Sequence, residues 1–303
     1  MTMRIVIALG GNALLRRGEA SEAEIQRRHL DQAVAAIADI VRANEVVITH
    51  GNGPQIGLLA LQSAAGHVMQ PDPLDVLGAE SEGMLGYLIE QELRSQISQQ
   101  EVATLLTLVE VAADDPAFRH PDKPIGPVYR REEAERLKPE RHWRIAPDGE
   151  YWRRVVPSPE PRRIIGLANI RLLLDAGATV VCAGGGGVPV VAAPNGRLRG
   201  VDAVIDKDLS AARLAWQIGA DALLLLTDVD AVYSGWGTAD ASPIRNATPT
   251  QLRRQTFAAG SMAPKVEASC RFADSGGVAA IGRLEDATAL LAGVAGTQVR
   301  RGG

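Results

Sequence analysis

Short apolar runs recur along this chain, and each gives way to a stretch with helical spacing. Residues 4–9 form a β-rich run, Val46-Val47-Ile48 form a second, and 102–109, 180–183, 222–226 and 278–281 continue the series. Between them, residues 22–43 carry Ile25, Leu30, Val34, Ile37 and Val41 near a 3.6-residue period, and 75–98, 170–174, 206–218, 265–274 and 285–292 read as further helices. Strands this continuously apolar have no wet face and must be covered on both sides. Alternating helices supply the cover. The expected fold is therefore α/β, a three-layer αβα sandwich around a mainly parallel sheet.

One stretch departs from the alternation. Residues 114–163 hold nine of the 17 prolines and two of the four tryptophans, Trp143 and Trp152. Repeated proline fixes the backbone and excludes long helices, while tryptophans argue against a bare linker. We read a small protruding or lid subdomain inserted into a single domain spanning 1–303. Its charges are nearly balanced, ten Arg/Lys against seven Asp/Glu over 130–163, which argues against nucleic acid.

Composition narrows the function classes. A chain of 303 residues with 46% hydrophobic residues can bury a large core, and a net charge of −4 draws it to neither nucleic acid nor an anionic membrane. No apolar run approaches the roughly 18 residues of a membrane helix, and the N-terminal run is too short for a signal-peptide core. Cys182 and Cys270 form no disulfide framework, and the five histidines show no metal spacing. A cytoplasmic protein is expected.

Of 32 basic residues only Lys123, Lys138, Lys207 and Lys265 are lysine; the rest are arginine. Lysine presents a compact point charge where arginine presents a planar fork. A retained lysine in such a chain is either chance or a site that needs a small ammonium near phosphate oxygens, and local context decides. Lys207 lies in Asp206-Lys207-Asp208 at the start of a helix, where a cation opposes the helix dipole and flanking aspartates can hold it. Lys265 follows Gly260-Ser261-Met262-Ala263-Pro264, again near a helix start. Lys123 opens Lys123-Pro124-Ile125-Gly126 at the mouth of the proline-rich stretch. Lys138, among Glu and Arg, reads as surface.

Three glycine clusters follow predicted strands: Gly10-Gly11-Asn12, Gly51-Asn52-Gly53 and Gly184 to Gly187. Ligands of open α/β sheets bind at the carboxyl ends of strands, where glycine lets N–H groups approach an anion. Each cluster alone could be a tight turn; together they point to a phosphate-handling cleft, with Gly184 and Gly185 among the donors. No P-loop or dinucleotide fingerprint is present. In Thr227-Asp228-Val229-Asp230 either Asp228 or Asp230 suits ribose hydroxyls or a metal-bound water, with Tyr233 just after it against a base; the other reading is a polar turn with Tyr233 half buried. His50 reads as structural.

Together these segments resemble one family: residues 8–14 (ALGGNAL), 49–55 (THGNGPQ), 75–81 (DVLGAES), 123–126 (KPIG), 154–159 (RVVPSP), 183–187 (AGGGG), 204–208 (VIDKD), 227–230 (TDVD) and 260–268 (GSMAPKVEA) are similar, in order along the whole chain, to the carbamate kinases of the amino-acid-kinase fold. The resemblance implies reversible phosphoryl transfer between ATP and carbamate, giving ADP and carbamoyl phosphate. It also implies Mg²⁺ carried by the nucleotide and a cytoplasmic homodimer, working toward ATP in arginine catabolism. Most kinases of this fold place a lysine just before the first glycine pair. Here Ile7-Ala8-Leu9 has none, and in carbamate kinases a lysine of the protruding subdomain takes that role, which matches Lys123. The implied catalytic set is Lys207, steered by Asp208, with Lys123 and Lys265. Gly10, Gly11 and Asn12 would bind the phosphoryl, Gly51, Asn52 and Gly53 the carbamate, and Asp228, Tyr233, Met262 and Lys265 the nucleotide. Rival readings are a sister acid or phosphate kinase and a non-catalytic metabolite sensor.

Overall fold

The computed structural model describes residues 2–11, 23–65, 72–258 and 260–302. Its centre is an eight-stranded sheet in the order Asn246–Ala247, Thr297–Val299, Val278–Arg283, Ala222–Thr227, Arg4–Leu9, Glu45–His50, Thr179–Val181, Val102–Thr104. All neighbours are parallel except Val278–Arg283 with Thr297–Val299. Alternation along the innermost strand explains the three layers. Ile5, Ile7 and Leu9 point to one face, against Leu30, Val34 and Ile37 of the Ala23–Ala43 helix and Leu85 and Ile89 of the Leu74–Gln96 helix. Val6 and Ala8 point to the other, against Ala211 and Leu214 of the Lys207–Ile218 helix and Cys270 and Phe272 of the Met262–Asp274 helix. The α/β sandwich expected from the alternation is the fold observed.

Register places the strand ends together. Leu9 pairs with His50 on one side and with Leu226 on the other, so the chain leaves three adjacent strands at one level. Gly10 and Gly11, Gly51, and Thr227 follow directly.

Two stretches differ from the reading of the sequence. The expected strand 102–109 is two strands, Val102–Thr104 in the central sheet and Leu108–Glu110 in a second sheet with Val188–Ala192, Leu198–Gly200 and Arg163–Ile164. The break falls where Thr107 turns its polar groups inward: its N–H donates to Glu82 and its Oγ1 accepts from Ala183. The helix Gly53–Ala65 was not expected after so glycine-rich a start; Pro54 at its first turn is the signal that announces it. Gly57 on that helix meets Gly126 so closely that a Cβ there would lie 1.9 Å from the Gly126 Cα.

Residues 123–156 form a three-stranded antiparallel sheet, Lys123–Tyr129 beside Tyr151–Val156 beside Arg144–Asp148, with the Arg131–Glu140 helix against it. The Arg141 and Arg154 guanidinium groups each lie over the Trp143 ring, 5.4 Å from its centre, and Tyr129 is near it. Ile125 and Val156 fasten this sheet to Ile56, Leu77 and Val204 of the main body.

Candidate active site

Asp206 caps the Lys207–Ile218 helix. Its Oδ1 accepts the N–H of Asp208 at 2.9 Å and of Leu209 at 3.2 Å, which satisfies the helix start and fixes the carboxylate. Its other oxygen, Oδ2, accepts a hydrogen bond from Lys123. One residue further on, Asp208 Oδ1 is 2.5 Å from Lys207 Nζ and Oδ2 is 3.1 Å from Lys265 Nζ. Three lysines distant in sequence therefore meet over two carboxylates on one helical turn. Within this group three ammonium charges face two carboxylates, an excess of one positive charge in a largely buried place.

The electrostatics follow from burial. Burial alone would raise Asp208, but the Lys207 and Lys265 ammonium groups overcome it and hold the carboxyl well below the usual carboxylate range. Burial lowers Lys207, against the pull of Asp208 and with the repulsion of Lys265. Burial also opposes the charge on Lys265, yet Asp208 prevails and that lysine is raised, with Asp206 and Asp228 adding to the effect.

The glycine loops crowd the same place. A Cβ on Gly51 would lie 3.3 Å from Lys207 Cδ and 3.2 Å from the Gly11 nitrogen, so Gly51 leaves little room for a side chain between the Lys207 stem and the Gly11 backbone. Gly10 is pressed against the Leu226 carbonyl, where a Cβ would stand at 2.8 Å. Asn12 lies outside the described residues. Asn52 is buried and donates from Nδ2 to Ser81 Oγ at 2.8 Å; Gly53 opens the Gly53–Ala65 helix. Gly184 and Gly185 sit behind Asn52: the Gly184 N–H, expected to face phosphate, donates instead to Glu82 Oε1 at 2.9 Å, and Gly185 abuts the Asn52 amide.

On the Lys265 side, Met262 opens the Met262–Asp274 helix and packs half-buried on the core. Thr227 Oγ1 donates to Asp228, which is exposed. The Tyr233 hydroxyl donates to Asp230 rather than to Asp228, and its ring meets Trp236 edge-on at 5.2 Å. Lys138 is on the surface, 3.9 Å from Glu135.

Sequence reasoning missed Asp206 as the partner of Lys123, and it missed Ser81, Glu82 and Thr107 behind the glycine loops. Glu82 had a signal: it shares the i, i+3, i+7 stripe of Leu85 and Ile89, the buried face of its helix. His50 is fully buried, its Nδ1 3.2 Å from the Gly51 carbonyl, and burial lowers it to about 4, so it stands neutral beside the cluster.

Residues 3–281 match the model of the amino acid kinase family. The carbamate kinase of Rhizobium meliloti is 52% identical over 299 residues, covering 97% of this chain and 92% of that protein. The carbamate kinase of Haemophilus influenzae is 52% identical over 301 residues, covering 99% and 97%. Among solved structures, carbamate kinase from Giardia lamblia bound to citric acid superposes with a TM-score of 0.94 at 36% identity, covering 99% of both chains; its complex with AMP-PNP gives 0.88. The chain therefore belongs to the amino acid kinase family and, within it, to the carbamate kinases.

Proposed function

We propose that the cluster of Lys207, Lys265, Asp208 and Lys123 carries the γ-phosphoryl group of ATP to a carbamate oxygen and back, between ATP with carbamate and ADP with carbamoyl phosphate. The observation that supports these roles is the sharing of one carboxylate, Asp208, by two ammonium groups while its neighbour Asp206 holds the third.

Phosphoryl transfer asks for positioning and charge neutralisation rather than covalent help. A carbamate oxygen forms its bond to the γ-phosphorus as the bond from that phosphorus to the β–γ bridging oxygen breaks, and the electron pair leaves with ADP. Carbamate is already an anion, so no proton moves and no general base is needed. The obstacle is the approach of one anion to another. Lys207, aimed by Asp208 and passing beside Gly51, serves the phosphoryl in flight. Lys265 serves the nucleotide β- and γ-phosphates and Lys123 the carbamate side. Gly10, Gly11 and Asn12 donate to the moving group; Gly51, Asn52 and Gly53 form the small acid pocket, with Gly184 and Gly185 as its support. Asp228, Tyr233 and Met262 line the nucleotide side.

Among the described residues no group of three His, Cys, Asp or Glu is placed to hold a metal, and both Asp208 oxygens already meet ammonium groups. Mg²⁺ fits as a ligand of phosphate and water oxygens, arriving with ATP and neutralising phosphate charge.

We extend this reading to net ATP formation in arginine catabolism, to a lid role for residues 114–163, to the cytoplasm and to a homodimer. The helices among the described residues are all too short or too polar to cross a membrane. The Leu74–Gln96 helix turns Leu77, Leu85 and Ile89 inward but leaves Val76, Met84 and Tyr87 exposed near exposed Leu106, an apolar face suited to a second copy. The test is coupled ATP formation from ADP and carbamoyl phosphate, with acetyl phosphate as control. Turnover restricted to carbamoyl phosphate is expected; equal turnover of acetyl phosphate would place the chain among less selective acid kinases.

A further inference from the structure

We propose that Glu82 is a positioning residue for this transfer site: its buried carboxyl holds the 184–187 turn and the 105–107 connection, and so sets where Asn52 stands in the carbamate pocket. The inference rests on the assignment of the 51–53 loop to carbamate.

Glu82 lies on the Leu74–Gln96 helix and is 1% exposed. Its Oε1 accepts the Gly184 N–H at 2.9 Å, and its Oε2 the Thr107 N–H at 3.3 Å. Thr107 Oγ1 in turn accepts the Ala183 N–H at 2.9 Å. Two consecutive amides, 183 and 184, are thus fixed from one side chain, directly and through Thr107. Ala183 has φ +51°, a left-handed conformation costly for a residue with a Cβ, and these bonds are what hold it. The next residue, Gly185, presses on Asn52; a Cβ there would be 2.1 Å from Asn52 Nδ2. The same Nδ2 donates to Ser81, the chain neighbour of Glu82, whose Oγ donates to the Gly78 carbonyl at 2.8 Å. Adjacent residues on one helix therefore grip Asn52 from two sides, Ser81 by a hydrogen bond and Glu82 through the turn.

The surroundings of the carboxyl are nearly uncharged. His50, from the Glu45–His50 strand, crowds the same place beside Gly184 as Glu82 does, where a Cβ would stand 2.2 Å from His50 Nε2 and 3.0 Å from Glu82 Cγ, and its Nε2 has no hydrogen-bond partner among the described residues. Cys182 and the Thr107 hydroxyl complete the surroundings, while the Lys207 charge acts on His50 and is paired with Asp208. Burial raises Glu82 to about 8, against the pull of the Thr107 and Gly184 amides. At neutral pH the carboxyl keeps its proton and serves as an uncharged clamp; in alkali it becomes a buried anion without a counter-charge.

The experiment compares wild type, Glu82→Ala, Glu82→Gln and Lys207→Ala by initial rates of ATP formation across about pH 6 to 9.5. Glu82→Ala is expected to raise KM for carbamoyl phosphate at least about tenfold while KM for ADP changes less than about twofold. Glu82→Gln, isosteric and never ionised, keeps one acceptor oxygen but turns an NH2 towards the other amide, so it is expected to recover only part of that loss, and its kcat/KM is expected to fall at higher pH than that of wild type, with Lys207 setting the limb that remains. Unchanged KM for carbamoyl phosphate in a folded Glu82→Ala enzyme overturns the inference. So does a Glu82→Gln enzyme whose KM for carbamoyl phosphate equals that of wild type although one of the two clamp bonds is lost, which decides the matter even where Glu82→Ala does not fold. A Lys207→Ala enzyme with full turnover overturns the site itself. Inactive Lys207→Ala beside a silent Glu82→Ala overturns only the part assigned to Glu82.

Discussion

Lys265 Nζ lies 3.1 Å from Oδ2 of Asp208, a residue 57 positions earlier whose other oxygen is held by Lys207. One carboxylate thus sets the separation of two ammonium groups. Replacing Asp208 by Asn keeps the shape but removes the charge, leaving two buried cations to repel each other. Asp208→Asn is expected to lower kcat by at least about 10²-fold, read in the coupled assay.

Lys207 tests the point-charge idea. An arginine fork is wider than an ammonium, and the Lys207 stem passes beside Gly51, where even a Cβ would stand 3.3 Å from Lys207 Cδ. Both Lys207→Ala and Lys207→Arg are expected to lose about 10²–10³ in kcat. Lys138→Ala, on the surface, is expected to change nothing measurable. A Lys207→Arg enzyme with near-full kcat would count against the argument.

How far the sequence reveals this arrangement depends on what each signal encodes. The strands Arg4–Leu9 and Ala222–Thr227 were legible because they are buried on both faces, which demands an unbroken apolar run. Lys123, Lys207 and Lys265 stood out because arginine fills nearly every other basic position. Their meeting around one phosphoryl group follows from the resemblance rather than from any local pattern, since none records which helix starts face each other, and the structure brings them together. The break at Thr107 was hidden because Leu105, Leu108 and Val109 continue a β-like pattern while the deciding bonds come from Glu82 and Ala183. The Gly53–Ala65 helix was hidden because Gly53 and Gly57 lower helical propensity, and Gly57 is there for its contact with Gly126.

That contact yields a paired prediction on stability. Gly57→Ala forces a Cβ to within 1.9 Å of the Gly126 Cα, backbone against backbone, and is expected to cost about 1–3 kcal/mol or more in denaturant titration. Gly78→Ala, inside the Leu74–Gln96 helix with only the tip of Ile56 at 3.9 Å, is expected to stabilise by about 0.5–1 kcal/mol. Equal effects would contradict the close approach.

Buried His50 predicts an acid limb in stability. Its value is about 4 in the fold, against 6.5 when exposed. As pH falls through 6.5 the unfolded chain takes a proton that the folded chain refuses, so stability declines from there down to about 4, where the fold also accepts it. The full window is worth roughly 3 kcal/mol. Melting temperature against pH is expected to fall across this range in wild type, and to fall less in His50→Gln.

Asp206 joins a helix cap to an ion pair with Lys123. Asp206→Ala is expected to cost about 0.5–2 kcal/mol from the lost cap alone. It is also expected to raise KM for carbamoyl phosphate, as Lys123→Ala does without the loss of the cap.

The central claim is that Lys207 and Lys265 act on one migrating phosphoryl group through one carboxylate. A double-mutant cycle in kcat on Lys207→Ala and Lys265→Ala measures it most directly. The account predicts strong coupling, with the double variant losing far less than the product of the two single losses. Independent, multiplicative losses would contradict it.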